Sequence, residues 1–76
     1  MANLVAIRSA YMQAQREVDA KLGYANPNAM PIAFRAIDQA SEALTLDASN
    51  AAIVDHAFSG RLRGTVRKVL RQRHAL

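Results

Sequence analysis

The side chains in this sequence that could do chemistry are the cationic ones near its end. Arg63, Arg67 and Arg71 follow one another at intervals of four residues, which places them in a row along one side of a helix. A guanidinium group presents a planar fork of N–H donors that matches pairs of oxygen atoms on a phosphate or a carboxylate. The pattern therefore indicates binding of an anion rather than catalysis.

Two glycines lie beside this arginine row. Gly60 and Gly64 fall on the same face of a helix, and Arg61 and Lys68 flank them. Because glycine has no side chain, a phosphate or a second backbone could approach the helix closely there.

The alternative is that the arginine row is an ordinary solvated face, or that acidic residues elsewhere in the domain neutralise part of it. The residues predicted to bind an anion or a nucleic acid are Gly60, Arg61, Arg63, Gly64, Arg67, Lys68 and Arg71.

The distribution of charge along the chain is strongly uneven. Residues 1–58 carry four basic and six acidic side chains, a net charge of −2, whereas residues 59–76 carry six basic side chains and no acidic one. The overall charge of +4 therefore conceals two halves of opposite sign. Asymmetry of this kind points to a nucleic acid, a membrane surface or an acidic protein as partner.

The sequence has no pattern specific enough to name a reaction. It contains no cysteine, so disulfides and thiolate metal sites are excluded. Asp55 and His56 are adjacent, so on a helix they point about 100° apart and cannot form a hydrogen-bonded dyad. Phosphate-binding loops, His-x-x-x-His pairs and carboxylate clusters are absent as well. We expect a protein that is not an enzyme and needs neither metal nor cofactor.

The residues that would position the cationic row are arranged as helices. A stripe of apolar side chains at spacings of three and four predicts a first helix over residues 3–22, capped by Asn3 and ended by Gly23. Two prolines and two asparagines within residues 26–31 predict a turn. A second helix should then cover residues 29–46, with Asn28 as its cap.

The last predicted helix carries the cationic row on one side. Apolar side chains recur every four residues from Val54 through Phe58, Leu62, Val66 and Leu70, which favours one continuous helix over residues 49–73. The competing interpretation breaks this helix at Ser59-Gly60, since glycine costs about 1 kcal/mol relative to alanine inside a helix.

These elements define the expected fold class. A chain of 76 residues is one domain, and the prediction is an all-α, small three-helix bundle with a long basic C-terminal helix. Sixteen of its residues are alanine, which fills a core poorly, so we expect a homo-oligomer, most simply a homodimer. No apolar run approaches the ~20 residues that span a bilayer, and residues 1–8 do not look like a signal peptide. We therefore expect a cytoplasmic protein that does not contact a membrane.

One segment resembles a known family. Residues 60–72, Gly-Arg-Leu-Arg-Gly-Thr-Val-Arg-Lys-Val-Leu-Arg-Gln, are similar to the C-terminal, DNA-reading half of Fis-type helix-turn-helix proteins. The resemblance covers less than a third of the chain, and implies that Gly60 forms the turn and residues 63–68 open a recognition helix. The sequence departs from the family at His56, Ser59 and Arg61, where the motif packs small or apolar side chains. The residues that would face DNA by this resemblance are Arg63, Thr65, Arg67 and Lys68.

Three kinds of partner are consistent with the cationic row. The leading interpretation is a regulatory protein that binds nucleic acid through the last helix. The alternative is a small protein-interaction module or inhibitor, of the kind phages and plasmids encode, docking on an acidic protein surface. The third is binding of a nucleotide or a signalling dinucleotide. If the partner is a polyanion, the affinity should fall steeply with salt, because each phosphate contact releases counterions.

Overall fold

Four helices and no strand make up the chain in a computed structural model that describes all 76 residues. The helices are α1 (Leu4–Leu22), α2 (Ala29–Ala43), α3 (Asn50–Ala57) and α4 (Gly60–Gln72). α1 packs most extensively against α4, and α2 packs mainly against α3, whereas no Cα atom of α2 lies within 8 Å of a Cα atom of α4. The prediction of an all-α helical bundle is confirmed, with four helices in place of three.

The core draws side chains from all four helices. The ring of Tyr11 lies at its centre, stacked on Phe58 with ring centroids 5.5 Å apart and edge-on to Phe34 at 6.0 Å. Burial raises the pKa of the Tyr11 hydroxyl, and the nearby charge of Asp19 adds to this shift. The buried residues are Ile7, Ala10, Tyr11, Ala14, Ala33, Ile37, Ala40, Ile53, Val54, Phe58, Val66, Val69 and Leu70.

Both predicted ends of α1 are confirmed. The Asn3 side chain accepts a hydrogen bond from the Ala6 N–H at 3.0 Å, which satisfies one of the free donors at the helix start. Gly23 has φ +81° and donates its N–H to the Asp19 carbonyl at 2.9 Å. Glycine adopts this left-handed conformation without strain, so it ends the helix.

α2 begins at Ala29 with Asn28 in the N-cap position, as predicted, but the expected capping bond is missing and the helix ends earlier than predicted. The Asn28 side chain makes no capping hydrogen bond, and the Asn28 N–H instead donates to the Asn26 side chain at 2.9 Å. The helix ends at Ala43 rather than at residue 46, because Leu44 is extended. After it the Thr45 hydroxyl donates to Asp47 at 2.7 Å, a local turn that competes with continuation of the helix.

The predicted continuous helix over residues 49–73 is wrong, and the competing interpretation is right. α3 ends at Ala57, Phe58 and Ser59 are extended, and Gly60 has φ +61°. The apolar four-residue spacing continues through this break because both helices turn the same side toward one core. Stacking of Phe58 on Tyr11 holds the connecting segment against that core.

Candidate anion-binding face

The outer side of α4 is the candidate site. Val66, Val69 and Leu70 are fully buried, so the opposite side of this helix faces solvent. We call this outer side the cationic face, and it consists of Gly60, Arg61, Arg63, Gly64, Arg67, Lys68 and Arg71.

Three cations of the cationic face have no partner within the molecule. The side chains of Arg61, Arg63 and Arg71 are exposed, and none of them takes part in the salt bridges of the molecule. Their guanidinium groups therefore keep their full donor capacity for an external ligand.

The other two cations are paired with carboxylates of the same chain. Arg67 donates to Asp55 of α3 at 2.9 Å, and Lys68 donates to Glu17 of α1 at 2.9 Å. The hydrogen bond from Lys68 is the main reason that the pKa of Glu17 lies below its ordinary value. Neutralisation by acidic residues elsewhere in the domain thus applies to this part of the face.

These two ion pairs are weak enough to be exchanged. All four side chains remain substantially exposed, and exposed ion pairs contribute only ~0–1 kcal/mol. A phosphate that approached Arg67 or Lys68 would therefore compete with a weakly bound carboxylate, and displacement of that carboxylate would cost little stability.

The two glycines of the cationic face have different structural roles. Gly60 adopts a positive φ that side-chain-bearing residues rarely take, whereas Gly64 has ordinary helical geometry. A Cβ atom added at Gly64 would meet nothing within 4 Å. Neither the backbone nor the packing requires glycine at position 64, and its effect is to leave the middle of the face without a side chain.

Arg73 serves the fold instead of the cationic face. It donates to the Ser9 hydroxyl at 2.8 Å and to the Gln13 side-chain carbonyl at 2.5 Å, both on α1. With the pair between Lys68 and Glu17, these bonds show that α1 and α4 run antiparallel. Sequence spacing alone could not have found them, because the partners lie about sixty residues apart.

A second long-range link that the sequence did not predict joins the two ends of the chain. The Asn50 side-chain carbonyl accepts a hydrogen bond from the Asn3 N–H at 2.8 Å, and its amide group donates to the Ala75 carbonyl. Asn50 therefore holds the start of α1 and the segment after α4 beside the start of α3.

The residues of the Fis-type resemblance are only partly available. The positive φ of Gly60 agrees with a glycine turn, but α4 begins at Gly60, before the predicted start of a recognition helix. The Thr65 hydroxyl donates back to the Arg61 carbonyl at 2.9 Å. With Arg67 and Lys68 paired, only Arg63 of the four residues is both exposed and free.

Comparison with known proteins adds no relative. No protein-family model, no curated protein and no solved structure matches the chain. The Fis-type likeness therefore stays a resemblance of residues 60–72. No cluster of His, Asp and Glu side chains could hold a metal ion, and no helix has the length and hydropathy needed to cross a bilayer.

Proposed function

We propose that this protein binds nucleic acid without catalysis, through phosphate contacts made by the cationic face of α4, and that its role is regulatory. The observation that carries the proposal is the set of exposed, unpaired guanidinium groups on Arg61, Arg63 and Arg71 around the open position of Gly64. No acidic residue occurs from position 59 to the end of the chain.

The shape of the cationic face favours a polyanion over an acidic protein. From Arg63 to Arg71 the helix rises about 12 Å, enough to follow several backbone phosphates of one strand. Protein interfaces depend on large apolar or aromatic anchors at their centre. The cationic face has none, since the exposed large apolar side chains all lie outside α4.

A titration by fluorescence anisotropy with random-sequence duplex DNA at two salt concentrations tests the proposal. We expect binding that weakens steeply as salt rises, and a clear loss of affinity and of salt dependence for the double variant Arg63→Ala, Arg71→Ala. The matched control is Lys21→Ala, Arg35→Ala, which removes the same charge from exposed positions outside the cationic face.

Three outcomes of this titration would contradict the proposal. Equal loss of affinity in both double variants would mean that net charge, not the cationic face, attracts the duplex. Absence of binding even at low salt would favour the second candidate, docking of the same arginines on an acidic protein surface. Binding of a free nucleotide or dinucleotide without any duplex binding would favour the third.

The proposal includes an assembly and a location. We expect a homodimer, because only 13 of the 76 residues are buried and four of these are alanine. We expect the protein to act in the cytoplasm, since a cysteine-free domain suits a reducing compartment.

A further inference from the structure

A shallow cavity lies where α1 meets the turn that leads into α2. Its volume is about 230 Å³, and Met12, Arg16 and Asp19 of α1 face Met30 of α2 across it. Pockets that bury small-molecule ligands typically measure ~300–1,000 Å³. This cavity is below that range, so side chains of a protein are its better occupants.

Two exposed methionines contribute apolar surface to the rim of this cavity. Met12 is 39% exposed and Met30 is 45% exposed, while the cavity floor is the buried ring of Tyr11. Methionine adapts its shape readily and is common at protein-binding surfaces. Each thioether side chain can serve both as a wall of its own cavity and as an insert into a neighbouring one.

The charged side chains at this rim are complementary to those at the same rim of a second copy. Arg16 and Asp19 are three residues apart on α1, yet they form no salt bridge with each other or with any other residue. The Asp19 carboxylate accepts one hydrogen bond, from the Gln15 amide at 2.8 Å. A twofold contact uses the same surface on both copies. If Arg16 of one copy meets Asp19 of the other, the reverse pair forms as well, so the contact contains two Arg16–Asp19 pairs.

We propose that this cavity is a self-association surface, occupied by a second copy of the same chain, with Met12 and Met30 packed across the axis and Arg16 paired with Asp19 between copies. The net charge of the rim is zero, so two copies meet there without repulsion. The cationic face lies on another helix and would repel its own copy. The proposal specifies the surface of the expected homodimer and does not depend on nucleic-acid binding.

Reversal of the two rim charges tests the proposal. Sedimentation velocity over a wide range of protein concentrations should show a species of twice the 8.3 kDa chain mass at the upper end. Arg16→Glu and Asp19→Arg should each abolish this species, because like charges then face each other. The double variant Arg16→Glu, Asp19→Arg should restore it. Arg35→Glu, an exposed reversal outside the rim, is the matched control and should leave dimerisation unchanged.

The outcomes that overturn the proposal are a monomer at every concentration, which leaves the cavity to a different protein, and a dimer that the single reversals do not affect. Failure of the double variant to dimerise also overturns the paired-charge contact. Circular dichroism establishes that each variant keeps its helices, so a folding defect is not mistaken for loss of the contact. Duplex binding by the monomeric variants separates this result from the proposed function.

Discussion

Gly60 and Gly64 are one helical turn apart and illustrate how differently two identical residues contribute to a molecule. Gly60 permits the left-handed backbone that turns the chain from the Phe58–Ser59 segment into α4. Gly64 lies in regular helix with open space around it, where alanine would be the more stable choice. The first glycine is needed by the fold, whereas neither the backbone nor the packing requires the second.

Alanine substitutions at these two glycines should therefore have opposite effects on stability. Gly64→Ala should raise the free energy of unfolding by about 1 kcal/mol, through helix propensity. Gly60→Ala should lower it by about 1 kcal/mol or more, because alanine is strained at a positive φ. Urea denaturation followed by circular dichroism measures both values. Effects of the same sign would contradict the different roles assigned to them.

Glu17 links stability to pH at the scale of a single side chain. Its pKa in the folded protein lies below the ordinary value of 4.5, chiefly because Lys68 donates a hydrogen bond to it. A carboxyl group whose pKa is lowered by folding stabilises the protein above its ordinary pKa, and this contribution is lost as the pH falls through the folded value. The loss therefore falls on the acidic side of 4.5.

Thermal melts from about pH 7 to about pH 3 should show this contribution. We expect the wild type to be more stable than Glu17→Gln at neutral pH and the difference to shrink as the pH falls. Lys68→Met should reduce the same pH dependence, since it removes the main cause of the lowered Glu17 pKa. If the melting temperatures of the wild type and Glu17→Gln change with pH in the same way, the ion pair does not form in solution.

At the scale of the element, α4 is a helix with two unlike sides. Its inner side contributes Val66, Val69 and Leu70 to the core, and its outer side carries the cations. Leu62 continues the apolar spacing but is only partly buried, because it lines the open groove between α2 and α4. The energetic contribution of the inner side should therefore be concentrated in the C-terminal half of the helix.

Truncation of the two leucines of α4 tests this uneven distribution. Leu70→Ala should cost ~2–5 kcal/mol, the usual range for a fully buried leucine. Leu62→Ala should cost clearly less, since part of its side chain remains in water. Urea denaturation compares the two directly, and a larger loss for Leu62→Ala would mean that the groove beside it is closed in solution.

At the scale of the whole molecule, the acidic part of the chain competes with any anionic ligand of α4. Asp55 of α3 and Glu17 of α1 each hold one cation of the cationic face, so the rest of the fold lowers the charge that α4 alone would offer. The cations that remain free are those which no neighbouring helix reaches. If the proposed function is correct, the affinity for a polyanion depends on the packing of the helices as well as on the sequence of α4.

Removal of one competing carboxylate should strengthen nucleic-acid binding. Asp55→Asn releases Arg67, and we expect a higher affinity for duplex DNA. The slope of log affinity against log salt concentration should also become steeper, by the amount expected for about one additional phosphate contact. Asp38→Asn is the matched control. It removes the same charge from an ion pair with Arg8, on a helix whose Cα atoms all lie more than 8 Å from those of α4. Equal gains in both variants would attribute the effect to net charge alone.

Features that depend on neighbouring residues can be predicted from the amino-acid sequence alone. The all-helical class, the cap at Asn3, the end at Gly23 and the split in charge all follow from propensity, capping and composition. Each of these is decided within a few residues of the chain, or by a simple count. They were therefore predicted correctly without knowledge of the fold.

Three features depend on how the helices pack: the position of the break before α4, the set of free cations and the cavity beside α1. Apolar spacing reports the side of a helix that faces the core, and it does not report whether the helix is continuous. The partners that settle these questions are distant in sequence: Phe58 stacks on Tyr11, and Lys68 pairs with a carboxylate 51 residues away. Local sequence cannot contain such contacts, because they exist only once the helices have packed.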